Sequence, residues 1–481
     1  MKQGVIFRLL SLLLGIIGLT MIIPLIMAAF YGEMAMVRGF VMALSGPLII
    51  ALPVLISTRK SPFRLSPAGG LLLVFFVWVF TCLMGGLPFF ISGYIPRFSD
   101  AVFESVSGFT TTGATILLDV EAMPRSLLFW RAMTHWLGGM GIVVLTVALL
   151  PLLGAGGFQL VKAEAPGPET EKLTPKITAT AKILWLLYIS LTGIQTLLLM
   201  AGGMDWFDAV IHAFSTLATG GFSSRNNSIA AYHSPWIDWV CIIFMALAGF
   251  NFSLIWGLLR GKYQDLMKDS EAKAYGGIIL VSTGIVTLVL CTGGDSLEQS
   301  LRCAFFQVLS ILTTTGFTLT DQNCWPPLAQ GVLFFLMFVG GCSGSTAGGI
   351  KVIRHVVLFK QAGNEMKKLL YPKGICTIRL NKMVGRKDVV YGVAGFVFLY
   401  MALMFAATFL VSAANMDLFS ALNVGALTLG NIGLGLGASS SASVLYGLPA
   451  YVKWGLSFIM IAGRLELWTA LVFFSRDYWQ R

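Results

Sequence analysis

The stretch SGFTTTG at residues 107–113 decides the fold of this 481-residue chain, because variants of it occur three more times. The other copies are STLATGG at 215–221, SILTTTG at 310–316 and LTLGNIG at 427–433, and every copy ends at a glycine. The copies stand roughly one hundred residues apart along the whole chain, which indicates an internal structural repeat.

Each copy is followed by a second mark, in which an apolar residue precedes Gly or Ala and then Gly. The second marks are Leu137–Gly139, Leu247–Gly249, Val339–Gly341 and Ile461–Gly463. Because both marks keep their register four times, we interpret the chain as four related units. Four such units around one axis in a membrane predict a pore along that axis.

The composition is that of an integral membrane protein. Hydrophobic residues make up 56% of the chain and charged residues 11%, and the mean hydropathy is +0.81. Soluble domains carry about 25% charged residues, and no stretch here is polar and long enough to form a soluble core. The seven cysteines include no C-x-x-C pair and the four histidines are scattered, so the sequence indicates neither a redox nor a metal site.

Apolar runs long enough to cross a bilayer predict ten spans. They lie near 5–29, 36–57, 70–92, 126–153, 180–202, 235–259, 274–293, 328–359, 388–413 and 449–474. Four segments between them have a helical pattern but are too short to cross, and we interpret them as re-entrant half-spans. These half-spans lie near 99–112, 206–220, 298–315 and 418–432.

The basic residues are concentrated in the loops that follow the even-numbered spans. They are Arg59, Lys60 and Arg64, then Lys162, Lys172, Lys176 and Lys182, then Arg260, Lys262, Lys268 and Lys273, and finally ten Lys or Arg within 351–387. If the half-spans turn back without crossing, these loops share one side, which the positive-inside rule makes cytoplasmic. We therefore predict cytoplasmic N- and C-termini, and we interpret the net charge of +11 as a topology signal rather than a nucleic-acid surface.

Each half-span begins with residues that suit a helix cap or an acidic first turn. These residues are Asp100, Asp205 with Asp208, Asp295 with Ser296, and Asp417 with Ser420. The four helices then run inward, and their partially negative C-terminal ends meet near the middle of the bilayer. Glycine lets the following carbonyls turn toward the axis, and threonine hydroxyls add oxygen ligands. Because no carboxylate lies in the four stretches, the pattern predicts a filter for a dehydrated monovalent cation.

Three residues of each repeat are the predicted ligands of this cation, and we call them the filter residues. They are Thr111, Thr112, Gly113, Thr219, Gly220, Gly221, Thr314, Thr315, Gly316, Asn431, Ile432 and Gly433. The filter is expected to be chemically unequal around its axis, because the second and fourth copies offer fewer threonines than the other two.

The chain resembles the membrane subunits of the bacterial Trk potassium-uptake systems, within the wider Trk/Ktr/HKT superfamily, over essentially its whole length. The four filter glycines, WLGGMG at 136–141, GGCSGSTAGG at 340–349 followed by Lys351, and GRLE at 463–466 carry the resemblance. The two spans before the first repeat are similar to Trk rather than Ktr members. The expected fold is all-α, with about ten transmembrane helices and four re-entrant pore helices in fourfold pseudo-symmetry around one pore.

This architecture divides the chain into five parts. We expect two N-terminal spans at 1–65, then repeat 1 at 66–160, repeat 2 at 161–268, repeat 3 at 269–375 and repeat 4 at 376–481.

The glycine-rich run at 340–350, here named the gate loop, interrupts an apolar span. Such a run does not form a lipid-facing helix and is tolerated only where it is buried in protein or lines a cavity. The resemblance implies a gate beneath the filter, built from Gly340, Gly341, Ser343, Gly344, Ser345, Thr346, Gly348, Gly349 and Lys351 and completed by Arg464.

Three further polar residues inside the apolar segments have more than one interpretation. Arg464 lies deep in the last predicted span, where a charge indicates function, and the alternative is a structural pair with Glu466 or with backbone carbonyls. Glu104 is expected to support the filter from behind, with contact to the ion as the alternative. His135 is interpreted as a buried interior histidine, with a proton relay as the alternative.

The resemblance implies potassium uptake across the bacterial cytoplasmic (inner) membrane by a lipid-embedded homodimer. It also implies a cytosolic Trk A-type NAD/ATP-binding regulatory subunit, whereas this chain is expected to hold no cofactor and to bind no nucleic acid. Two alternatives stay open. One is a proton- or sodium-coupled potassium symporter on the same scaffold, and the other is a membrane scaffold or enzyme subunit without transport, for which the sequence offers no catalytic cluster.

Overall fold

The structure, a computed structural model, describes residues 3–58, 67–141, 177–293, 296–373, 378–380, 383–385, 387–437 and 442–480. Several residues of the predicted topology lie outside these ranges. They are Arg59, Lys60, Arg64, Lys162, Lys172, Lys176, Asp295 and the second part of the span predicted at 126–153.

The described part of the chain is dominated by α-helices. In chain order they are α1 Gln3–Thr20, α2 Ile22–Phe30, α3 Met34–Ser57, α4 Pro67–Ile91, α5 Phe98–Phe109, α6 Arg125–Gly139, α7 Ile177–Ala201, α8 Trp206–Leu217, α9 Pro235–Ala248, α10 Phe252–Leu259, α11 Tyr263–Lys268, α12 Ser270–Cys291, α13 Leu297–Leu312, α14 Pro327–Leu336, α15 Val352–Leu370, α16 Lys387–Ser412, α17 Leu418–Gly430, α18 Ala442–Gly447, α19 Ala450–Arg464, α20 Trp468–Leu471 and α21 Arg476–Trp479. The all-α class is as predicted, and a short antiparallel hairpin of β1 Ile378–Leu380 and β2 Met383–Gly385 accompanies the helices.

Six helical segments within the described ranges are long and apolar enough to cross a membrane. They are Ile6–Phe30, Met34–Ser57, Gly69–Ile91, Thr180–Ala201, Ser270–Cys291 and Val389–Ser412. They coincide with six of the predicted spans and include the first helix of each repeat. The chain is therefore a multi-pass membrane protein, as predicted.

The other four predicted spans are interrupted in the residues that the structure describes, and the interruption at 340–350 was predicted. The span predicted at 126–153 has its helix end at Gly139, and the one at 235–259 bends by 102° between α9 and α10. The span at 328–359 is split into α14 and α15 by the gate loop, and the one at 449–474 ends its helix at Arg464.

These interruptions fall at the second repeat marks because the ends of the pore helices pack there. A Cβ atom on Gly138 would lie 1.9 Å from the carbonyl oxygen of Phe109, and one on Gly463 would lie 2.2 Å from that of Leu429. No side chain fits between backbones at such distances. Hydropathy predicted the spans at 126–153 and 449–474, and the close approach of a pore-helix backbone accompanies the ends of their helices.

The four half-spans are α5, α8, α13 and α17, here called pore helices 1 to 4. Each packs against the first span of its own repeat, namely α4, α7, α12 and α16. Pore helices 2 and 3 also pack against the second helix of the preceding repeat, α6 and α9, and pore helix 1 packs against α19 of repeat 4. This neighbour pattern arranges the repeats in a circle.

The helix-start signals act in two ways. Asp417 Oδ2 accepts a hydrogen bond from the Ser420 N–H at 2.9 Å, and Ser296 Oγ accepts one from the Gln299 N–H at 3.3 Å, as caps do. Asp100 lies in the first turn of pore helix 1 instead, where it pairs with the buried Lys453 of α19 at 2.8 Å. That pair fastens repeat 1 to repeat 4.

The close approach at the second marks gives a first prediction. Gly138→Ala should lower the free energy of unfolding by about 1–3 kcal/mol, because its methyl group has no space beside the Phe109 carbonyl. The midpoint of thermal unfolding in detergent measures this. Gly276→Ala is the control, because nothing lies within 4 Å of a Cβ at that helical glycine. Equal midpoints for the two variants would contradict the packing argument.

Candidate functional site

The same backbone turn follows all four pore helices. Two residues before each filter glycine the φ angle is positive, at 53° for Thr111, 56° for Thr219, 59° for Thr314 and 54° for Asn431. The glycines themselves have φ angles of 79°, 79°, 78° and 73°. Positive φ is strained for a β-branched residue such as threonine, and strain of this kind concentrates at functional sites. The four copies therefore share one conformation despite their different side chains.

The four turns form a closed ring of backbone. A Cβ atom built on any filter glycine would collide with a carbonyl oxygen of the next repeat. The distance from this Cβ to the oxygen is 2.0 Å for Gly113 and Gly220, 2.0 Å for Gly221 and Thr315, 2.2 Å for Gly316 and Ile432, and 2.2 Å for Gly433 and Thr112. The order runs from repeat 1 through repeats 2, 3 and 4 and returns to repeat 1, so the filter residues surround one axis.

A buried ion pair supports the ring behind repeat 1. Glu104 of pore helix 1 accepts hydrogen bonds from Arg131 Nε at 2.6 Å, Thr115 Oγ1 at 2.9 Å and the Ile116 N–H at 3.0 Å. Arg131 Nη1 also donates to the Ser223 carbonyl of repeat 2 at 3.1 Å. One carboxylate and one guanidinium thus position the chain leaving the filter in two adjacent repeats.

Polar residues at the same offset act similarly in the next two repeats. His212 Nε2 lies 2.9 Å from Ser223 Oγ, and Gln307 Nε2 donates to the Phe317 carbonyl at 3.4 Å. Each of these side chains reaches the segment that leaves its own filter turn. The expectation that Glu104 supports the filter from behind agrees with this geometry.

The ring is chemically unequal, in an alternating way. In repeats 1 and 3, which lie opposite each other, the hydroxyls of Thr110 and Thr112 are 2.7 Å apart, and those of Thr313 and Thr315 are 2.8 Å apart. In repeat 2 the ring of His135 fills the equivalent space, with Nδ1 2.4 Å from a Cβ built on Gly220. His135 is fully buried and stacks on Phe222 at 3.9 Å between ring centroids.

Repeat 4 uses its asparagine as a bridge to repeat 1. Asn431 Nδ2 donates to Thr112 Oγ1 at 2.8 Å and to the Met460 carbonyl at 3.1 Å. The amide therefore ties the filter turn of repeat 4 both to its own second helix and to the neighbouring filter turn.

The tip of the gate loop lies against the C-terminal ends of three pore helices. Thr346 Oγ1 is within hydrogen-bond distance of the Leu217 carbonyl (2.9 Å) and the Ala248 carbonyl (3.1 Å) of repeat 2. The Gly348 N–H donates to Thr314 Oγ1 of repeat 3 at 2.7 Å. The Gly349 N–H donates to the Gly430 carbonyl of repeat 4 at 3.0 Å.

Turns and short hydrogen bonds shape the rest of the loop. Positive φ angles at Gly340, Gly344 and Gly349 reverse the chain, and Ser345 Oγ donates to the Cys342 carbonyl at 2.6 Å. The Cys342 N–H donates to the Gly249 carbonyl at 2.8 Å. The base of the loop is closed by the Val352 N–H, which donates to the Gly341 carbonyl at 3.1 Å, and Ser343 is held by Glu271.

Two cations, the part-buried Arg464 and the buried Lys351, accompany the loop. Arg464 donates to the Thr346 carbonyl at 2.8 Å and to the Gly138 and Gly139 carbonyls at 2.7 and 3.1 Å. Arg464 therefore joins the loop to repeat 1, the one repeat that the loop tip does not itself reach through the bonds above. Lys351 Nζ donates to the Ala347 carbonyl within the loop, and both Lys351 and the loop tip are buried.

The carboxylate of Glu466 pairs with Arg354 at the start of α15. Of the two structural partners considered for Arg464, backbone carbonyls are therefore observed.

Sequence reasoning missed three charged residues of this region. Arg131, Lys453 and Glu271 are buried inside apolar helices, at 3%, 1% and 6% exposure. The rule that singled out Arg464, a charge deep in an apolar span, could have found Arg131 and Lys453. Glu271 stands at the start of a span, beside Lys273, and nothing in its sequence position distinguishes it from a residue of the basic loop.

Comparison with known proteins gives consistent matches. Residues 53–274 and 286–481 match the TrkH family, described as cation transport proteins. The chain is 39% identical to the Trk system potassium uptake protein TrkH of Halomonas elongata, with all of both chains covered, and 32% identical to the Trk system potassium uptake protein TrkG of Escherichia coli, with 99% and 98% covered. Its structure is similar to the crystal structure of the potassium transporter TrkH from Vibrio parahaemolyticus, with a TM-score of 0.89, 34% identity and full coverage of both chains.

The ion pair behind repeat 1 gives a second prediction. Glu104→Gln should lower the free energy of unfolding by about 3–5 kcal/mol, because it leaves the buried Arg131 guanidinium without a counter-charge. Thermal unfolding in detergent is the measurement. Glu298→Gln is the control, since the Glu298 side chain is 63% exposed in its pair with Arg302 and should contribute less than about 1 kcal/mol. If Glu104→Gln unfolds at the same temperature as the unaltered protein, the ion pair does not hold the ring.

Proposed function

Because the chain belongs to the TrkH family of cation transport proteins, we propose that it takes up potassium ions across the cytoplasmic membrane through the ring of filter residues. Proteins that share up to 39% of its sequence over their full length carry the name potassium uptake protein, and none of these names describes an enzyme.

The closed backbone ring is the observation that carries this proposal. Four filter turns in one conformation, each against the carbonyl of the next, offer oxygen atoms from all sides to an ion on the axis. Rings of carbonyl oxygens replace the hydration shell of potassium in selective filters. The pore helices add their partially negative C-terminal ends below the ring.

We propose further that the gate loop closes the pore beneath this ring. Its tip occupies acceptors at the ends of pore helices 2 and 4 and the hydroxyl of Thr314, which an entering cation would otherwise use. Arg464 adds a fixed positive charge, and a like charge at about 4 Å repels a cation by about 4 kcal/mol at an effective dielectric constant of 20. Opening then requires the loop to leave the pore-helix ends.

The same proposal covers the orientation of the chain in the membrane, its oligomeric state and its cytosolic partner. The termini and basic loops face the cytoplasm, the chain forms a homodimer, and a cytosolic Trk A-type subunit that binds NAD or ATP regulates the gate. Support comes from α15, which continues directly from the gate loop and carries Lys360, Lys367 and Lys368 on the basic-loop side. The exposed apolar residues along the spans contact lipid.

A proton- or sodium-coupled potassium symporter stays the second candidate, since the ring would serve it equally well. Uptake into vesicles with imposed and reversed proton and sodium gradients separates the two. A channel follows the potassium gradient alone, whereas a symporter reverses with the coupling ion.

Selectivity is the third prediction. Cells that lack other potassium systems should take up potassium and rubidium but not sodium when they express this chain with its cytosolic partner. Gly113→Ser should narrow the preference for rubidium over sodium by at least tenfold, because any Cβ there collides with the Gly220 carbonyl. Gly93→Ser is the control, since Gly93 has a similar φ of 82° but open space around it. Equal rubidium and sodium fluxes in the unaltered protein would refute the filter.

The fourth prediction concerns the gate loop. Removing about half of residues 340–350 should raise rubidium flux in reconstituted vesicles and reduce its dependence on the cytosolic partner, because the tip no longer reaches the pore-helix ends. The deletion variant must insert and run as a single species in size-exclusion chromatography. A well-folded variant with unchanged flux and unchanged dependence on the partner would argue against gating.

The fifth prediction concerns Arg464. Arg464→Ala should raise the transport rate several-fold and leave the preference for potassium over sodium intact, since Arg464 lies below the ring. Arg464→Lys is the comparison that keeps the charge but loses the fork joining Thr346 to Gly138. If Arg464→Lys transports at the rate of the unaltered protein, the barrier to the cation comes from the positive charge. Lower flux in well-expressed Arg464→Ala would reveal a purely structural role.

A further inference from the structure

The two ends of the gate loop meet at one carboxylate that belongs to neither end. Oε1 of Glu271 accepts a hydrogen bond from the Ser343 N–H at 2.7 Å and another from the Ile353 N–H at 3.1 Å. Glu271 lies in the first turn of α12 and is 6% exposed. This single oxygen atom thus joins two positions that are ten residues apart in the chain, and the whole loop tip lies between them.

The geometry around this carboxylate is that of a closed stem. The Val352 N–H donates to the Gly341 carbonyl at 3.1 Å, and a Cβ atom on Gly340 would lie 2.5 Å from the Gly348 carbonyl. The segments by which the chain enters and leaves the loop therefore contact each other close to Glu271. The carboxylate adds the contact from outside, from the first span of repeat 3.

The bonds to Glu271 are of a strong kind. A backbone N–H that donates to a carboxylate is worth more than one that donates to a neutral acceptor, and the difference grows away from water. Without Glu271, two part-buried N–H groups would lack this acceptor in a region where unsatisfied backbone groups are costly. The closed stem therefore depends on a side chain that sequence reasoning did not single out.

The position of Glu271 also differs from that of Arg464. Arg464 holds the tip, at Thr346, whereas Glu271 holds the stem, at Ser343 and Ile353. Glu271 follows the short helix α11 and the capping residue Asp269, whose Oδ1 accepts from the Ala272 N–H at 2.7 Å. It therefore stands where the basic loop 260–269 joins α12.

We propose that Glu271 is the latch of the gate loop, a positioning residue that holds the stem closed and sets how often the loop leaves the pore-helix ends. This inference rests on the proposed function, in which residues 340–350 are the gate. The loop opens when the Ser343 and Ile353 N–H groups leave the carboxylate, and a change at the start of α12 reaches the loop through this one side chain.

The test combines transport with a direct readout of the loop. The variants are Glu271→Gln, which keeps the shape but removes the charge, and Glu271→Ala, which removes the acceptor. Asp269→Asn is the matched control, because it removes a carboxylate at the same helix end, whose Oδ1 accepts from the Ala272 N–H of α12. Rubidium flux into vesicles is measured per folded protein.

The loop readout is alkylation of Cys342, which is 1% exposed and adjacent to Ser343. The other six cysteines are replaced by serine or alanine in all proteins compared. We expect flux and alkylation rate to rise together, by about tenfold or more in Glu271→Ala and less in Glu271→Gln. Both should stay within about twofold in Asp269→Asn.

Unchanged flux and unchanged alkylation in Glu271→Gln and Glu271→Ala would overturn the latch, as would an equal rise in Asp269→Asn. If Glu271→Ala does not fold, the isosteric Glu271→Gln decides alone. Alkylation faster than in Asp269→Asn, without higher flux, would support the latch and refute the role of the loop as a gate, so the two ideas fail separately.

Discussion

The rest of the structure depends on one constraint: four backbone turns meet around an axis with no room for a side chain between them. A Cβ atom on any filter glycine would lie only 2.0 to 2.2 Å from a carbonyl oxygen of the next repeat. The pore helices must therefore end at one level, and the second helices must come near enough to hold those ends. Glycines at the second marks, such as Gly138 and Gly463, make that approach possible and at the same time interrupt the helices that contain them.

Buried charges hold this arrangement because each has a partner in another repeat or another element. Glu104 and Arg131 brace the segment leaving the filter of repeat 1 and reach repeat 2, while Asp100 and Lys453 join repeat 1 to repeat 4. Removing one member of such a pair costs far more than the pair contributes as a whole, because the remaining charge stays buried. These pairs are consequently better described as constraints on the position of the repeats than as a reserve of stability.

The repeats share one backbone conformation at the filter but differ in their side chains, and the differences alternate around the ring. Opposite repeats 1 and 3 carry paired threonine hydroxyls, whereas His135 lies beside Gly220 of repeat 2 and Asn431 of repeat 4 donates to Thr112. The gate loop comes from repeat 3 alone and reaches repeats 2 and 4 directly, and Arg464 of repeat 4 completes the circle by joining the loop to repeat 1. A single asymmetric insertion can thus act on a nearly symmetric ring, because every pore-helix end faces the same central space.

The sequence by itself determined the features that depend on local conformation and on composition. Glycine at a positive φ angle, an apolar run of bilayer length and a half-length helix with an acidic start are each fixed within a few residues, so the repeat marks, six of the spans and all four pore helices were predictable. Tertiary structure alone decided which distant groups meet. The sequence left Arg464 with several possible partners, and it gave no sign that Glu271 would bind the loop 72 residues further along the chain. Hydropathy also did not indicate that the helices of the spans at 126–153 and 449–474 end where pore-helix carbonyls approach Gly138 and Gly463. A local sequence pattern indicates the conformation that one segment prefers. Hydrogen-bond partners and helix ends inside a membrane depend on which other parts of the chain pack against that segment.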